Sequence, residues 1–216
     1  MKTNKITLIL ISIVTFFSFP SFAEENQKTY VSFGMMNMTD EGLDVLKGSG
    51  VSVDDSSTVG NLTIGYKVTP SLSIEGAVIA GGEVSASIPS GDSGTLYGKS
   101  YSVNGVATIK AETEAYLLGL KYSGGNGPLS INAKVGQLFW DVDYTASLNG
   151  TVTYAGTSYS VSSSVKILSE DGNDPYMGIG ASYALKNGSF IELDFISTEI
   201  HDTDVSGYGL SWVRKF

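Results

Sequence analysis

Eight stretches of this chain alternate apolar with small or polar residues at a period of two, and the connections between them alternate short and long. They run over about 29–37, 58–67, 71–80, 113–122, 129–142, 176–185, 189–198 and 205–216. A period of two marks a strand with two unlike faces. In Ile191-Glu-Leu-Asp-Phe195, Ile191, Leu193 and Phe195 share one face, and Glu192 and Asp194 the other. Leu62-Thr-Ile-Gly-Tyr66 and Ile131-Asn-Ala-Lys-Val-Gly136 read the same way. In a soluble sandwich the apolar face is the core. In a membrane barrel it meets lipid, and the charged face lines the interior. Periodicity alone does not separate the two.

Three patterns that agree in phase favour the barrel. Val68-Thr-Pro70, Ser123-Gly-Gly-Asn-Gly-Pro128 and Lys186-Asn-Gly188 are tight turns, whereas about 38–57, 81–112 and 143–175 are long and polar. Outer-membrane barrels place short turns on the periplasmic side and long loops outside. Tyr66, Tyr122 and Tyr183 each precede a tight turn, where an inner aromatic girdle belongs, and Trp212 and Phe216 extend it. Lysines and arginine (Lys28, Lys67, Lys121, Lys186, Arg214, Lys215) gather near the inner ends. Acids (Asp40, Glu41, Asp44, Asp54, Asp55, Glu170, Asp171, Asp202, Asp204) gather in the long loops. The expected fold is therefore all-β: a closed antiparallel transmembrane β-barrel of eight strands with extended extracellular hairpin loops. Closure is required, because lipid offers a sheet edge no hydrogen bonds. Ile64, Tyr66, Leu120, Val135, Leu193, Phe195 and Trp212 should face lipid.

Residues 1–23 have the three parts of a secretory signal: Lys2 and Lys5, an apolar run from Ile6 to Phe17, and the small-x-small pattern Ser21-Phe22-Ala23. The barrel domain then occupies 24–216. With two basic residues removed and no acid, its charge is 11 − 22 = −11, which argues against a nucleic-acid partner. There is no cysteine, so export brings no disulfide and stability must come from strand pairing and packing.

Two long connections resemble each other. Tyr97-Gly-Lys-Ser-Tyr-Ser-Val103 is similar to Tyr154-Ala-Gly-Thr-Ser-Tyr-Ser-Val161. Both read as polar hairpin arms, around 90–110 and 145–168, that carry the barrel strands above the membrane. If they entered the ring instead, the barrel would have ten strands.

Taken in order, Gly65-Tyr-Lys-Val-Thr-Pro70, the strand Ile131 to Gly136, Gly178-x-Gly180 leading to Tyr183, and the terminal Phe216 resemble the small outer-membrane barrels of the OmpA/OmpX type. The resemblance covers residues 28–216. It implies contact with outer-membrane lipid and lipopolysaccharide. It also implies delivery by the barrel-assembly machinery through the last strand, ending in Phe216. Such chains usually carry an aromatic or apolar residue third from the end, where this one has Arg214. The absence of a domain beyond the last strand implies no cell-wall anchoring role.

Glu75, Lys121, Lys134, Glu192 and Asp194 fall on the inward face. An eight-stranded barrel is barely wide enough for its own side chains, and buried charges must pair. These five are expected to form a lumen ionic network that plugs the barrel; the alternative is a gate for a narrow ion or small-solute pore. His201, beside Ser197, Glu199 and Asp202, offers a base near a hydroxyl, but no motif of a lipid-modifying barrel enzyme accompanies it. A non-enzymatic role is expected. The acidic loops lack the spacing of a calcium loop, so no metal or cofactor is assigned. Tyr97, Tyr101, Tyr154 and Tyr159 in the arms would give rigid contact area with a polar tip. The leading expectation is a structural or surface-interaction protein, acting in adhesion or membrane integrity and offering its loops to a host or cell-surface ligand.

Overall fold

The computed structural model describes residues 28–186, 188–200 and 202–216. The segment 1–23, expected to be a secretory signal, and His201 lie outside them. The elements are β1 (Thr29–Asp40), a 3-10 helix (Glu41–Leu46), β2 (Ser52–Asp54), β3 (Ser56–Lys67), β4 (Leu72–Leu96), β5 (Lys99–Gly124), β6 (Leu129–Tyr154), β7 (Thr157–Ala184), β8 (Ser189–Ile200) and β9 (Thr203–Lys215). Neighbours pair antiparallel, and β1 pairs with both β3 and β9. With β4 on β5, the hydrogen bonds close into a ring of eight strands. The ninth strand, β2, only flanks β4 at Ser85–Ser87. The eight-stranded barrel is as the sequence predicts, and the ten-stranded alternative is not formed.

The tight turns close as their residues dictate. Thr69 Oγ1 accepts from the amides of Ser71 and Leu72 at 3.3 and 3.0 Å, and Val68 N donates to Leu72 O at 2.9 Å. The far ends of β4–β5 and β6–β7 are two-residue turns, Tyr97-Gly98 and Ala155-Gly156. All four residues have positive φ, between 51° and 84°, as the hairpin turn that matches strand twist requires. This shared geometry underlies the similarity of the two sequence segments.

β4 to β7 are 25 to 28 residues long, far more than a bilayer crossing needs. Their outer halves leave the ring as an arm. The two predicted hairpins are not separate in it: β5 and β6 stay paired from Gly124↔Ile131 to Tyr101↔Tyr154, making one four-stranded sheet. Bulges mark its base, between Ile79 and Gly82 on β4 and opposite Tyr144/Thr145 on β7. A bulge adds a residue, bends its strand and raises local twist. Both lie on the outer strands of the arm, at the level where the sheet leaves the barrel.

The expected lipid face is outside. Ile64, Tyr66, Leu120, Val135, Leu193 and Phe195 are all exposed. Trp212 is half-exposed, its ring centroid 5.3 Å from that of Phe33 on the neighbouring strand. The interior differs from a uniformly polar lumen. Its outer half is apolar, with Met36, Val59, Ile79, Leu117, Leu138 and Ile196 packed together. The five-charge cluster lies below it. The long loop over 38–57 also carries structure absent from the sequence reading. Asp40 caps the 3-10 helix, accepting from Gly42 N at 2.9 Å, and Lys47 pairs with Asp44 and Asp55 at 2.6 and 2.7 Å.

Candidate functional site

The lumen is layered. At mid-depth the structure brings together all five inward charges named from the sequence. They come from β4, β5, β6 and β8, where inward parity places Glu75, Lys121, Lys134, Glu192 and Asp194. Lys121 Nζ lies 2.6 Å from Glu192 and 3.4 Å from Glu75. Lys134 Nζ lies 2.9 Å from Glu192, 2.9 Å from Asp194 and 3.7 Å from Glu75. Each lysine thus bridges at least two carboxylates, which offsets the cost of removing five charges from water. No side chain in the cluster is more than 11% exposed.

Two members were missed by charge counting. Tyr30 Oη donates to Glu75 Oε1 at 2.5 Å, and Ser182 Oγ donates to Glu192 Oε2 at 2.9 Å. Their signal was parity: each occupies an inward place on its strand. Tyr30 reaches across β3 because Gly65 leaves the wall bare; a Cβ there would sit 2.1 Å from the ring. The same device recurs above. Tyr176 lies over Gly119 and Gly136, and Trp140 over Gly172, with Trp140 Nε1 donating to Asp174 Oδ2 at 2.7 Å. Gly180 adjoins Asp194 Oδ1 and Asn132 Oδ1, which a Cβ would approach to 2.4 and 2.8 Å.

Above the cluster is an apolar chamber of about 270 Å³, walled by Val59, Ile79, Leu117, Leu138 and Ile196 and edged by Asp40 and Glu83. Below it is an inner vestibule of about 330 Å³ with Lys67 and Lys215 in its wall. The girdle residues ring this end from outside: Tyr66, Tyr122, Tyr183 and Phe216 are each 44–60% exposed.

The arm has two unlike faces. Register and alternation put Ile88, Ile109, Leu148, Tyr159, Val161 and Val165 on the face continuous with the lumen. Each is 40–58% exposed. The opposite face holds Ser102, Thr108, Ser147, Ser160, Ser162 and Ser164 among its residues. Of the four arm tyrosines, Tyr101, Tyr154 and Tyr159 share the inner face, and Tyr101 stands opposite Tyr154. Tyr101 Oη donates to Asp92 Oδ2 at 2.9 Å, a bond that raises the phenol's pKa. Tyr97 stands alone at the tip, 91% exposed. At the base Lys166 pairs with Asp143 at 2.6 Å, and with the Ser169 hydroxyl it holds that carboxyl below the usual range. Among the described residues β7 pairs with β8 only from Tyr176 to Ala184, and Thr198 Oγ1 donates to Pro175 O at 3.1 Å, so the β7 edge over 157–174 has β6 on one side and no paired strand on the other. Among them, too, no three carboxylates converge as a metal would need.

No curated protein matches the chain. Solved structures are similar to it. OprG from Pseudomonas aeruginosa is 15% identical, with a TM-score of 0.51 over 90% of this chain and 98% of its own. Ail of Yersinia pestis, solved with the heparin analogue sucrose octasulfate, is 12% identical, with a TM-score of 0.48 over 89% and 100%. The N-terminal β-barrel domain of Pseudomonas aeruginosa OprF is likewise 12% identical, with a TM-score of 0.40 over 88% and 99%. The family described as outer membrane protein beta-barrel domain matches residues 9–216. With the closed ring, the lipid face and that match in hand, the chain belongs to the outer-membrane β-barrel protein family.

Proposed function

We propose that this protein is a surface-interaction barrel, which holds a rigid four-stranded arm above the outer membrane for an extracellular cell-surface ligand. The observation that carries this reading is the arm's exposed apolar face. Contiguous apolar surface on a soluble structure marks a contact site, and here six large apolar residues line up on a sheet whose reverse is serine-rich. The open edge of β7 adds backbone donors and acceptors that an extended partner segment could pair with. Tyr101, Tyr154 and Tyr159 supply rigid contact area at low entropic cost.

The ligand is one with apolar and hydrogen-bonding surface. A polyanion is disfavoured, because the chain is strongly acidic and Glu83, Glu112, Glu114, Asp141 and Asp143 surround the base of the arm. The role rests on binding and requires no catalysis. A narrow pore is the second reading; it would need the five-charge cluster to part, and each of its lysines is held by at least two carboxylates.

The test removes the whole arm. Removing one hairpin would leave the β5 or β6 edge of the other bare, so residues 86–109 and 147–164 are excised together and each end is closed with Asn-Gly. The barrel should still refold and show heat-modifiable migration, and cells displaying it should lose adhesion to host-cell monolayers and to neighbouring bacteria. Adhesion equal to that of the intact protein would reject the reading.

A further inference from the structure

We propose that the inner vestibule of the barrel is a binding site for a phosphate group, held between Lys67 and Lys215. The two lysines are the last residues of β3 and β9, which flank β1. Lys67 shares inward parity with Thr63 and Lys215 with Ser211, both of them buried. Both line one cavity of about 330 Å³. Lys215 is held in place over the Phe190 ring, 3.6 Å from its centroid.

Among the described residues neither lysine has a carboxylate within salt-bridge reach. The one acid that lines the vestibule, Glu192, is already held by Lys121, Lys134 and Ser182. Among the described residues of the inner lumen, Glu75, Glu192 and Asp194 give −3, and Lys67, Lys121, Lys134 and Lys215 give +4. One positive charge is left over at the mouth. Like charges facing one partly dry cavity repel, and an anion between them turns that repulsion into attraction. The other walls suit an oxyanion. Ser71, Ser73 and Ser123 place hydroxyl donors around the same space. Lysine is a common point-charge partner for phosphate. The ionic cluster above stops anything bound here from passing outward, so the site holds its ligand rather than conducting it. The mouth lies level with the inner girdle, within reach of both a phospholipid headgroup and a soluble periplasmic phosphate.

The protein is refolded into phosphatidylcholine nanodiscs and titrated with inorganic phosphate at constant ionic strength, with chloride as the balancing anion. The ammonium resonances of Lys67 and Lys215 are followed by NMR. A saturable shift in wild type, weakened roughly tenfold in Lys67→Gln and in Lys215→Gln but not in Lys186→Gln, supports a soluble phosphate ligand. Failing that, nanodiscs containing phosphatidylglycerol that shift the same two lysines in the same mutant-sensitive way support a headgroup. No saturable shift in either medium, or one unchanged by both substitutions, overturns the site. The single variants are used because each removes one mouth charge and leaves the ionic cluster intact; heat-modifiable migration reports their folding.

Discussion

Tyr30 donates its phenolic hydrogen to Glu75 from two strands away, passing over Gly65 on the strand between. That contact ties the first strand of the ring to the ionic cluster. Gly65→Val should push the ring off its seat, since the added Cβ falls 2.1 Å from it; overpacking of this kind costs about 1–3 kcal/mol. Tyr30→Phe keeps the packing and deletes only a hydrogen bond to a charged acceptor, costing about 1.5–3 kcal/mol. Urea titrations of the lipid-refolded variants measure both. If Gly65→Val matches wild type, the ring does not lie where it is described.

Lys134→Met should cost more. It removes the bridge among Glu192, Asp194 and Glu75 and leaves buried carboxylates facing each other. Breaking a buried pair on one side costs about 3–5 kcal/mol. Adding Asp194→Asn should restore part of the loss, because the uncompensated charge goes with it. Wild type should show little conductance in planar bilayers. Steady, large, salt-dependent channels would mean that the cluster does not seal the lumen.

The ring, its phase and the five inward charges were legible because a strand repeats every two residues and a charge on the wrong face is costly. Three things were not. Inward Leu117, Leu138 and Ile196 look like outward residues to a reader who expects a polar lumen, and their neighbours Leu118 and Phe195 are apolar too. Tyr30 carries no formal charge, so only its parity marked it as a cluster member. The joining of the two arms depends on β5–β6 pairing between residues up to 53 apart in sequence, which local periodicity cannot report.

Leu193→Arg tests the outer face. Leu193 is 59% exposed at mid-height of β8, and arginine facing lipid near the midplane costs about 2–4 kcal/mol. A refolding titration in lipid vesicles against wild type gives the value. A cost near zero would move this residue out of the hydrocarbon.

The clasp at the base of the arm should be acid-labile. Lys166 and Ser169 depress the Asp143 carboxyl. A depressed folded value contributes only above the unfolded value, about 3.9, and is lost as pH falls through the folded one. The arm base should therefore stay ordered at pH 5 and loosen on acidification well below 4. The Asp143 carboxyl carbon, followed by NMR, should titrate below an ordinary aspartate, and Lys166→Gln should bring it back up. The same midpoint in both proteins would show that the clasp does not form.

Gly81 decides whether the β4 bulge is a matter of register or of bend. Its φ is 92°, in the region that costs other residues roughly 1–2 kcal/mol, so Gly81→Val should destabilise by about that much. Deleting Gly81 is a different matter. Below the bulge Ile79 pairs with Ala115, and above it Gly82 pairs with Thr113. One residue fewer lets these two ladders run on as one, with Val84, Ala86 and Ile88 still on the inner face. The Tyr97-Gly98 turn, which sets the register of the arm, is untouched. The deletion should thus cost less than Gly81→Val in the same urea titration, and a cysteine at Ile88 should label equally in both backgrounds. If the deletion proves the more costly, or if labelling at Ile88 collapses, the bend that the extra residue puts into β4 is itself needed to carry the arm out of the ring.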